Sequence, residues 1–300
     1  MESESPPLAD EQRAASLSDY FKALPLYLLP QHFLSRLMFG LTRCRFRPWK
    51  DWLIRWSIRH YGIDITEARE GDPTRYENFN RFFTRELREG MRPIAGLSDA
   101  LICPVDGAVS QLGDINGETL IQAKGRHYTL QALLASDDAL VTAFNGGSFI
   151  TLYLSQRNYH RIHMPLAGKL LQMAYVPGRL FAVNGHTARV VPKLFARNER
   201  IINLFETKAG PMALIMVGAI FVGGMETVWA GPITPIDSQG PLRWTYGDSA
   251  VSLQKGVEMG RFNMGSTVIL LFGPNSVRWT NGLANGTAVQ MGQAIGTLIG

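Results

Sequence analysis

From about Leu97 onward the chain is cut into short apolar runs, at residues 108–112, 119–123, 148–154, 169–176, 212–222, 267–272 and 288–298. Glycine, proline and asparagine separate them. Runs this short, bounded by turn residues, predict strands more readily than helices. Helical patterns interrupt them near residues 129–134 and 191–196. The pattern therefore predicts a β-rich body of many short strands over residues 96–300.

Residues 1–95 read differently. A polar, acidic start gives way at about Leu17 to an amphipathic helical pattern that runs to about Tyr61. Leucine and phenylalanine crowd residues 24–41, and Trp49, Trp52 and Trp56 recur at helical spacing. Residues 36–60 hold seven Lys/Arg against Asp51 alone, a surplus of six positive charges within a chain whose net charge is +5. Apolar and aromatic residues on one side with arginine on the other describe a helix lying in a membrane interface. The same pattern fits a helical hairpin packed on the protein's own core. Residues 66–92 also read as helix, with Phe79, Phe82, Phe83 and Leu87 on one face and Pro93 as the stop. The expected fold class is α+β: a helical amphipathic region over 1–95, then a β-rich, barrel- or sandwich-like catalytic body over 96–300.

Composition narrows the setting. Only 18% of residues are charged, and the pI is about 9.3. A basic chain suits an anionic partner, either nucleic acid or an acidic membrane. Cys44 and Cys103 make no CxxC pair, which favours a reducing compartment. The histidines have no cysteine neighbours and no standard zinc pattern, so no metal is expected. The start lacks the basic and apolar segments of a signal peptide. No stretch approaches the roughly 20 clean apolar residues that span a bilayer.

Three turn-like places hold the reactive side chains. Pro104-Val105-Asp106-Gly107 is a good turn with an aspartate in it. Tyr159-His160-Arg161-Ile162-His163-Met164-Pro165 places two histidines, the side chain best matched to proton transfer near neutral pH, three residues apart. Met264-Gly265-Ser266-Thr267 leads straight into Val-Ile-Leu-Leu-Phe, with a glycine that lets a nucleophile approach the preceding carbonyl. Each has a bland reading as a structural turn or a buried histidine. Together they supply Asp, His and Ser, the set for an activated serine. Residue types alone would make a serine hydrolase the default, although Ser266 lacks the Gly-x-Ser-x-Gly elbow.

Taken in order, these motifs resemble the signatures of the phosphatidylserine decarboxylase family, in its bacterial, membrane-associated branch. Also similar are Gln122-Ala-Lys-Gly, Tyr175-Val-Pro-Gly-Arg-Leu-Phe-Ala-Val-Asn, Leu194-Phe-Ala-Arg-Asn-Glu-Arg, Glu226-Thr-Val-Trp-Ala-Gly and Lys255-Gly-Val-Glu-Met-Gly-Arg-Phe. The likeness runs from about Phe79 to about Phe272. One departure is Met264, where the family usually has leucine, a swap that keeps size and apolarity. Pro104-Val-Asp-Gly-Ala-Val and the chain from Gly286 also resemble biotinyl- and lipoyl-type barrel-sandwich modules, but no Met-Lys-Met tip is present to carry a swinging arm.

The decarboxylase resemblance implies a chain that makes its own cofactor. His163, oriented by Asp106, removes the Ser266 proton, and Ser266 Oγ attacks the Gly265 carbonyl. Elimination and hydrolysis of the ester then cut the chain into a β subunit, 1–265, and an α subunit, 266–300, which starts with a pyruvoyl group derived from Ser266. That group forms a Schiff base with phosphatidylserine and drains the electrons left when carbon dioxide departs. His160 is implied as the proton donor to the product carbon or as a substrate-binding residue, with His163 the alternative. The expected partners are phosphatidylserine in an anionic membrane and the two subunits of one precursor, with room for a homo-oligomer of that αβ unit and no nucleic acid. The expected location is the cytoplasmic side of the cell membrane, held peripherally.

Overall fold

The computed structural model describes residues 14–221, 224–236, 238–247 and 251–299. The acidic start over residues 1–13 and Val222, the expected end of one strand, lie outside the described residues.

Helix α1 (Leu17–Leu28) opens on a capping box. The Ser16 hydroxyl accepts from the Asp19 amide while the Asp19 carboxylate accepts from the Ser16 amide. Pro30 separates α1 from α2 (Gln31–Arg43). Helix α3 (Arg47–Tyr61) carries Pro48 in its first turn, where a missing N–H is tolerated, and stops at Gly62 with φ of 63°. The faces that α1, α2 and α3 turn inward are mostly polar or small: Asp19 and Ala23, Gln31, Ser35 and Thr42, Lys50 and Ser57, with Ile54 the large apolar exception. Specific bonds dock them. Arg189 reaches the buried Asp19 carboxylate at 2.8 and 3.0 Å, and Gln31 Oε1 accepts from the Leu180 amide at 2.8 Å. The large apolar side chains point outward instead, the reverse of an ordinary surface helix.

The body is built on a nine-stranded antiparallel sheet. Its order is Leu242–Thr245, Gly168–Val176, Arg200–Thr207, Gly210–Val217, Thr267–Phe272, Ser148–Tyr153, Gly107–Asp114 and Ala288–Val289, with Ser252–Leu253 also pairing on Gly168–Val176. Thr267–Phe272 lies at the centre and is buried along its whole length, as a strand covered on both faces must be. A four-stranded sheet (Gly231–Pro232, Met225–Thr227, Glu258–Phe262, Arg161–His163), a three-stranded one (Ala100–Ile102, Ala294–Leu298, Val277–Trp279) and a two-stranded one (Thr119–Ala123, Arg126–Thr129) complete the body. One large apolar core fills it. A smaller cluster of Ile54, Ile63, Tyr76, Phe79, Phe82 and Phe83 lies under α3, and Met264 packs against both.

The α+β class and the three amphipathic helices agree with the sequence reading, but two expectations are corrected. Residues 66–92 are not one helix. Two single 3-10 turns, the five-residue α4 (Phe79–Phe83) and an extended stretch replace it. Gly71 and Pro73 break the pattern, Asn78 caps a new start, and Leu87 pairs its backbone with Ala68. The main sheet is also not a closed barrel. Its edges, Leu242–Thr245 and Ala288–Val289, do not pair among the described residues. The chain leaves the second edge after two paired residues and turns at Gly292, φ 87°, into the three-stranded sheet.

Candidate active site

Ser266 stands at the mouth of the central strand. Its carbonyl accepts from the Leu154 amide at 2.9 Å, and the next residue, Thr267, pairs with Tyr153 on one side and Val217 on the other. The backbone is thereby fixed at the point where a nucleophile would be wanted. The Ser266 side chain is fully buried, and its hydroxyl has no hydrogen-bond partner among the described residues. A buried hydroxyl left unpaired costs about 1–3 kcal/mol, so such a group calls for a functional account. Gly265 precedes it in a tight slot. A Cβ there would lie 3.0 Å from the Leu154 carbonyl oxygen and 3.6 Å from His160 Cε1.

His160 is the histidine beside this bond. It is fully buried, its ring stacks on Phe83 with centroids 4.1 Å apart, and neither ring nitrogen has a hydrogen-bond partner among the described residues. Burial, helped by the Arg85 charge, pushes its pKa down to about 3. The backbone of Ser155 and Gln156 offsets part of that without reaching hydrogen-bond geometry. His160 is therefore a neutral imidazole with free nitrogens at physiological pH.

His163 ends the strand Arg161–His163. Its Nδ1 is 2.8 Å from the Gly256 carbonyl, which can only accept, so Nδ1 carries the proton. Nε2 then accepts from the Tyr159 hydroxyl at 3.0 Å. Burial also lowers the His163 pKa, and the Asp106 charge works weakly against that shift. Asp106 itself does not hydrogen-bond His163. Arg92 grips its carboxylate at 2.6 to 3.0 Å, and the Met291 amide donates at 2.9 Å. Arg92 also holds Glu67 at 2.7 and 3.0 Å, so it is shared between two carboxylates. A cavity of about 680 Å³ opens onto His163, Tyr159 and Arg92.

Of the residues singled out in the sequence, the fold brings His160, Gly265 and Ser266 together. Asp106 acts on His163 through its field, while a bond that would orient the imidazole goes to Gly256 instead. The sequence reading did not single out Arg92, nor the roles that Phe83 and Gly256 play at the histidines. Their contributions are a long-range ion pair, a ring stack and a backbone carbonyl, none of which leaves a local motif. Tyr159 stood inside the histidine motif and was legible there.

A glycine–serine bond with a buried, unpartnered hydroxyl and a free imidazole packed beside it is the arrangement of a chain that processes its own backbone. The position also fits a group made from Ser266 itself, since no separate cradle is required. Known sequences agree with this class. The family model described as phosphatidylserine decarboxylase matches residues 79–297, and a second, described as PSD, matches residues 21–62. Proteins called phosphatidylserine decarboxylase proenzyme from Pseudomonas fluorescens and Methylococcus capsulatus are 51% and 52% identical, each covering 90% of this chain and 94% of its own length. The protein of that name from Nitrosococcus oceani is 51% identical over 94% of this chain and 93% of its own. The chain belongs to the phosphatidylserine decarboxylase family.

Proposed function

We infer that this chain is a proenzyme that cuts itself between Gly265 and Ser266 and then decarboxylates phosphatidylserine to phosphatidylethanolamine. The observation that carries the reading is the buried, unpartnered Ser266 hydroxyl directly after a glycine that packs on His160. Ser266 Oγ attacks the Gly265 carbonyl and gives up its proton to a histidine. The N–C bond breaks as the ester forms, elimination across Cα–Cβ releases the 1–265 carboxylate, and hydrolysis releases ammonia. The pyruvoyl group at position 266 then supplies an electron-withdrawing carbonyl for the loss of carbon dioxide.

In this proposal His163, under the field of Asp106, is the base of maturation. His160, stacked on Phe83 and packed against Gly265, is the residue at the reacting centre that orients substrate or returns the proton. Arg92 holds the Asp106 carboxylate in its buried position. Residues 1–95 form the membrane-associating region and 96–300 the catalytic one.

The lipid headgroup is reached from a membrane surface. Leu28 is 84% exposed and Phe21 74%, and Phe33, Trp52 and Trp56 are also open. Stacking links Trp49 to Trp52, Trp52 to Trp56, and Trp56 to His60, which gives α3 an aromatic ridge. No helix among the described residues is long and apolar enough to cross a membrane. Interfacial docking on the cytoplasmic, anionic face fits the outward apolar faces and the exposed Arg36, Arg47, Arg55 and Arg59.

Intact mass under denaturing conditions tests the reading. Two fragments are expected, the smaller starting at a blocked residue 266, together with carbon dioxide release from phosphatidylserine. Ser266→Ala should leave one chain and no release. A cut elsewhere, or activity in the uncut variant, would refute it.

A further inference from the structure

A second cavity, of about 390 Å³, lies between α2, α4 and the strand Glu258–Phe262. Its wall holds four arginines, Arg43, Arg45, Arg81 and Arg261, against two glutamates, Glu77 and Glu226, a surplus of two positive charges. Arg43 and Arg261 are the two least exposed of these arginines. The Arg43 guanidinium sits over the Phe39 ring at 3.5 Å, and Nη2 is 3.7 Å from Glu226. Nη1 is buried with no hydrogen-bond partner among the described residues. Arg261 approaches the same Glu226 carboxylate at 3.6 Å and that of Glu258 at 3.5 Å.

We propose that this cavity receives the phosphodiester of the lipid headgroup, with Arg43 and Arg261 as its ligands. The inference rests on reading the chain as a phosphatidylserine decarboxylase. Three observations favour a lipid phosphate over a free one. The cavity is bounded by Phe39 of α2, the helix whose Phe33, Leu37 and Leu41 are exposed, so acyl chains have an apolar surface beside its mouth. Asn80 and Asn263 line it, and Asn80 Nδ2 donates to Asn263 Oδ1 at 2.9 Å. Asn263 is three residues before Ser266, so the cavity wall and the reacting centre belong to one short stretch of chain. The same α4 turn gives Phe83 to His160 and Asn80 and Arg81 to the cavity wall. Holding the substrate carboxylate with these arginines would stabilise the group that has to leave, and would raise the barrier rather than lower it. The phosphate persists through the reaction and is the better handle.

The test uses processed enzyme and phosphatidylserine in mixed micelles at fixed detergent. Arg43→Gln should raise KM on the order of ten- to a hundred-fold, the value of a charge-assisted hydrogen bond to phosphate, with kcat falling much less. Phosphatidylethanolamine, which keeps the phosphate and lacks the carboxylate, should lose inhibitory strength by the same factor. Inorganic phosphate should compete far more weakly than either lipid. An unchanged KM overturns the proposal, as does a raised KM with undiminished inhibition by phosphatidylethanolamine, which would place the carboxylate on Arg43. Inorganic phosphate competing as well as the lipids also overturns it. Arg261→Gln is the second variant should Arg43→Gln lose its fold, judged by thermal midpoint and by maturation into two chains. A wild-type protein that neither matures nor releases carbon dioxide would instead sink the functional reading on which this inference rests.

Discussion

His160 carries a consequence that can be measured without any turnover. In the unfolded chain an imidazole takes a proton near pH 6.5, whereas the folded site refuses it until about pH 3. Above pH 6.5 the residue is neutral in both states and costs nothing. As pH falls below 6.5 the unfolded state alone gains the proton, so stability declines through that window down to about pH 3. In the uncut Ser266→Ala background, lowering pH from 7 to 5 should cost about 2 kcal/mol through His160. His163 adds to the loss in the same direction. Replacing His160 by Asn should remove the His160 share, read as a smaller drop in the urea midpoint between the two pH values. Equal drops in both proteins would mean that the site admits the proton. The same shift keeps the imidazole neutral across the physiological range.

At the scale of elements, the short helix α4 joins the arginine cavity to the imidazole packed beside the Gly265–Ser266 bond. Asn78 caps it, Phe79, Phe82 and Phe83 bury its apolar face, and Asn80 and Arg81 line the arginine cavity. Phe83→Ala removes the ring on which His160 stacks. It should cost about 3–5 kcal/mol by chemical denaturation and slow maturation, scored as the fraction of uncut chain over time. Wild-type maturation with reduced stability would make α4 a structural element only. Met264, standing where leucine is usual, touches this cluster and the main core at once, so its size matters more than its chemistry. The same region marks how far the sequence could be read. The periodicity of Phe79, Phe82 and Phe83 was legible, and those residues do share a face. What the pattern could not convey was that Gly71 and Pro73 break the stretch and that Leu87 leaves it to pair with Ala68. The Arg200–Thr207 strand, charged near its ends, stood out less than the apolar Gly210–Val217 and Thr267–Phe272 although it lies inside the main sheet. Ser266, Gly265 and the histidine pair were legible because turn chemistry is local. The Arg92 grip on Asp106 spans 14 residues and depends on the tertiary fold.

At the scale of the whole molecule, the cut and the membrane face make opposite demands that the fold meets separately. Cleavage before Ser266 frees the start of the central strand, yet Thr267–Phe272 pairs along both edges, and residues beyond it enter the main and three-stranded sheets. Residues 266–299 are therefore held by three separate sets of strand pairs, so a cut before Ser266 should leave them in place. The N-terminal helices invert the usual burial instead. Their polar faces dock on the body through Asp19, Gln31 and Ser35, and Leu17, Phe21, Leu28 and Phe33 are left in the open. Water alone does not favour such a surface, since each square ångström of apolar area left exposed forgoes about 25 cal/mol. Burial of that face in a lipid interface recovers it, and the exposed arginines add about 1 kcal/mol each near an anionic surface. Sedimentation with vesicles should separate the two contributions. Phe21→Ser with Leu28→Ser should weaken binding at every salt concentration. Arg55→Gln with Arg59→Gln should weaken it at low salt and leave it unchanged at 1 M salt, where the screening length falls to about 3 Å. Neither pair touches the core or the scissile bond, so maturation into two chains should proceed as in the wild type. If the apolar pair bound vesicles as tightly as wild type, the outward face would be covered by protein, and the native mass in detergent-free buffer would then reveal the second copy that covers it.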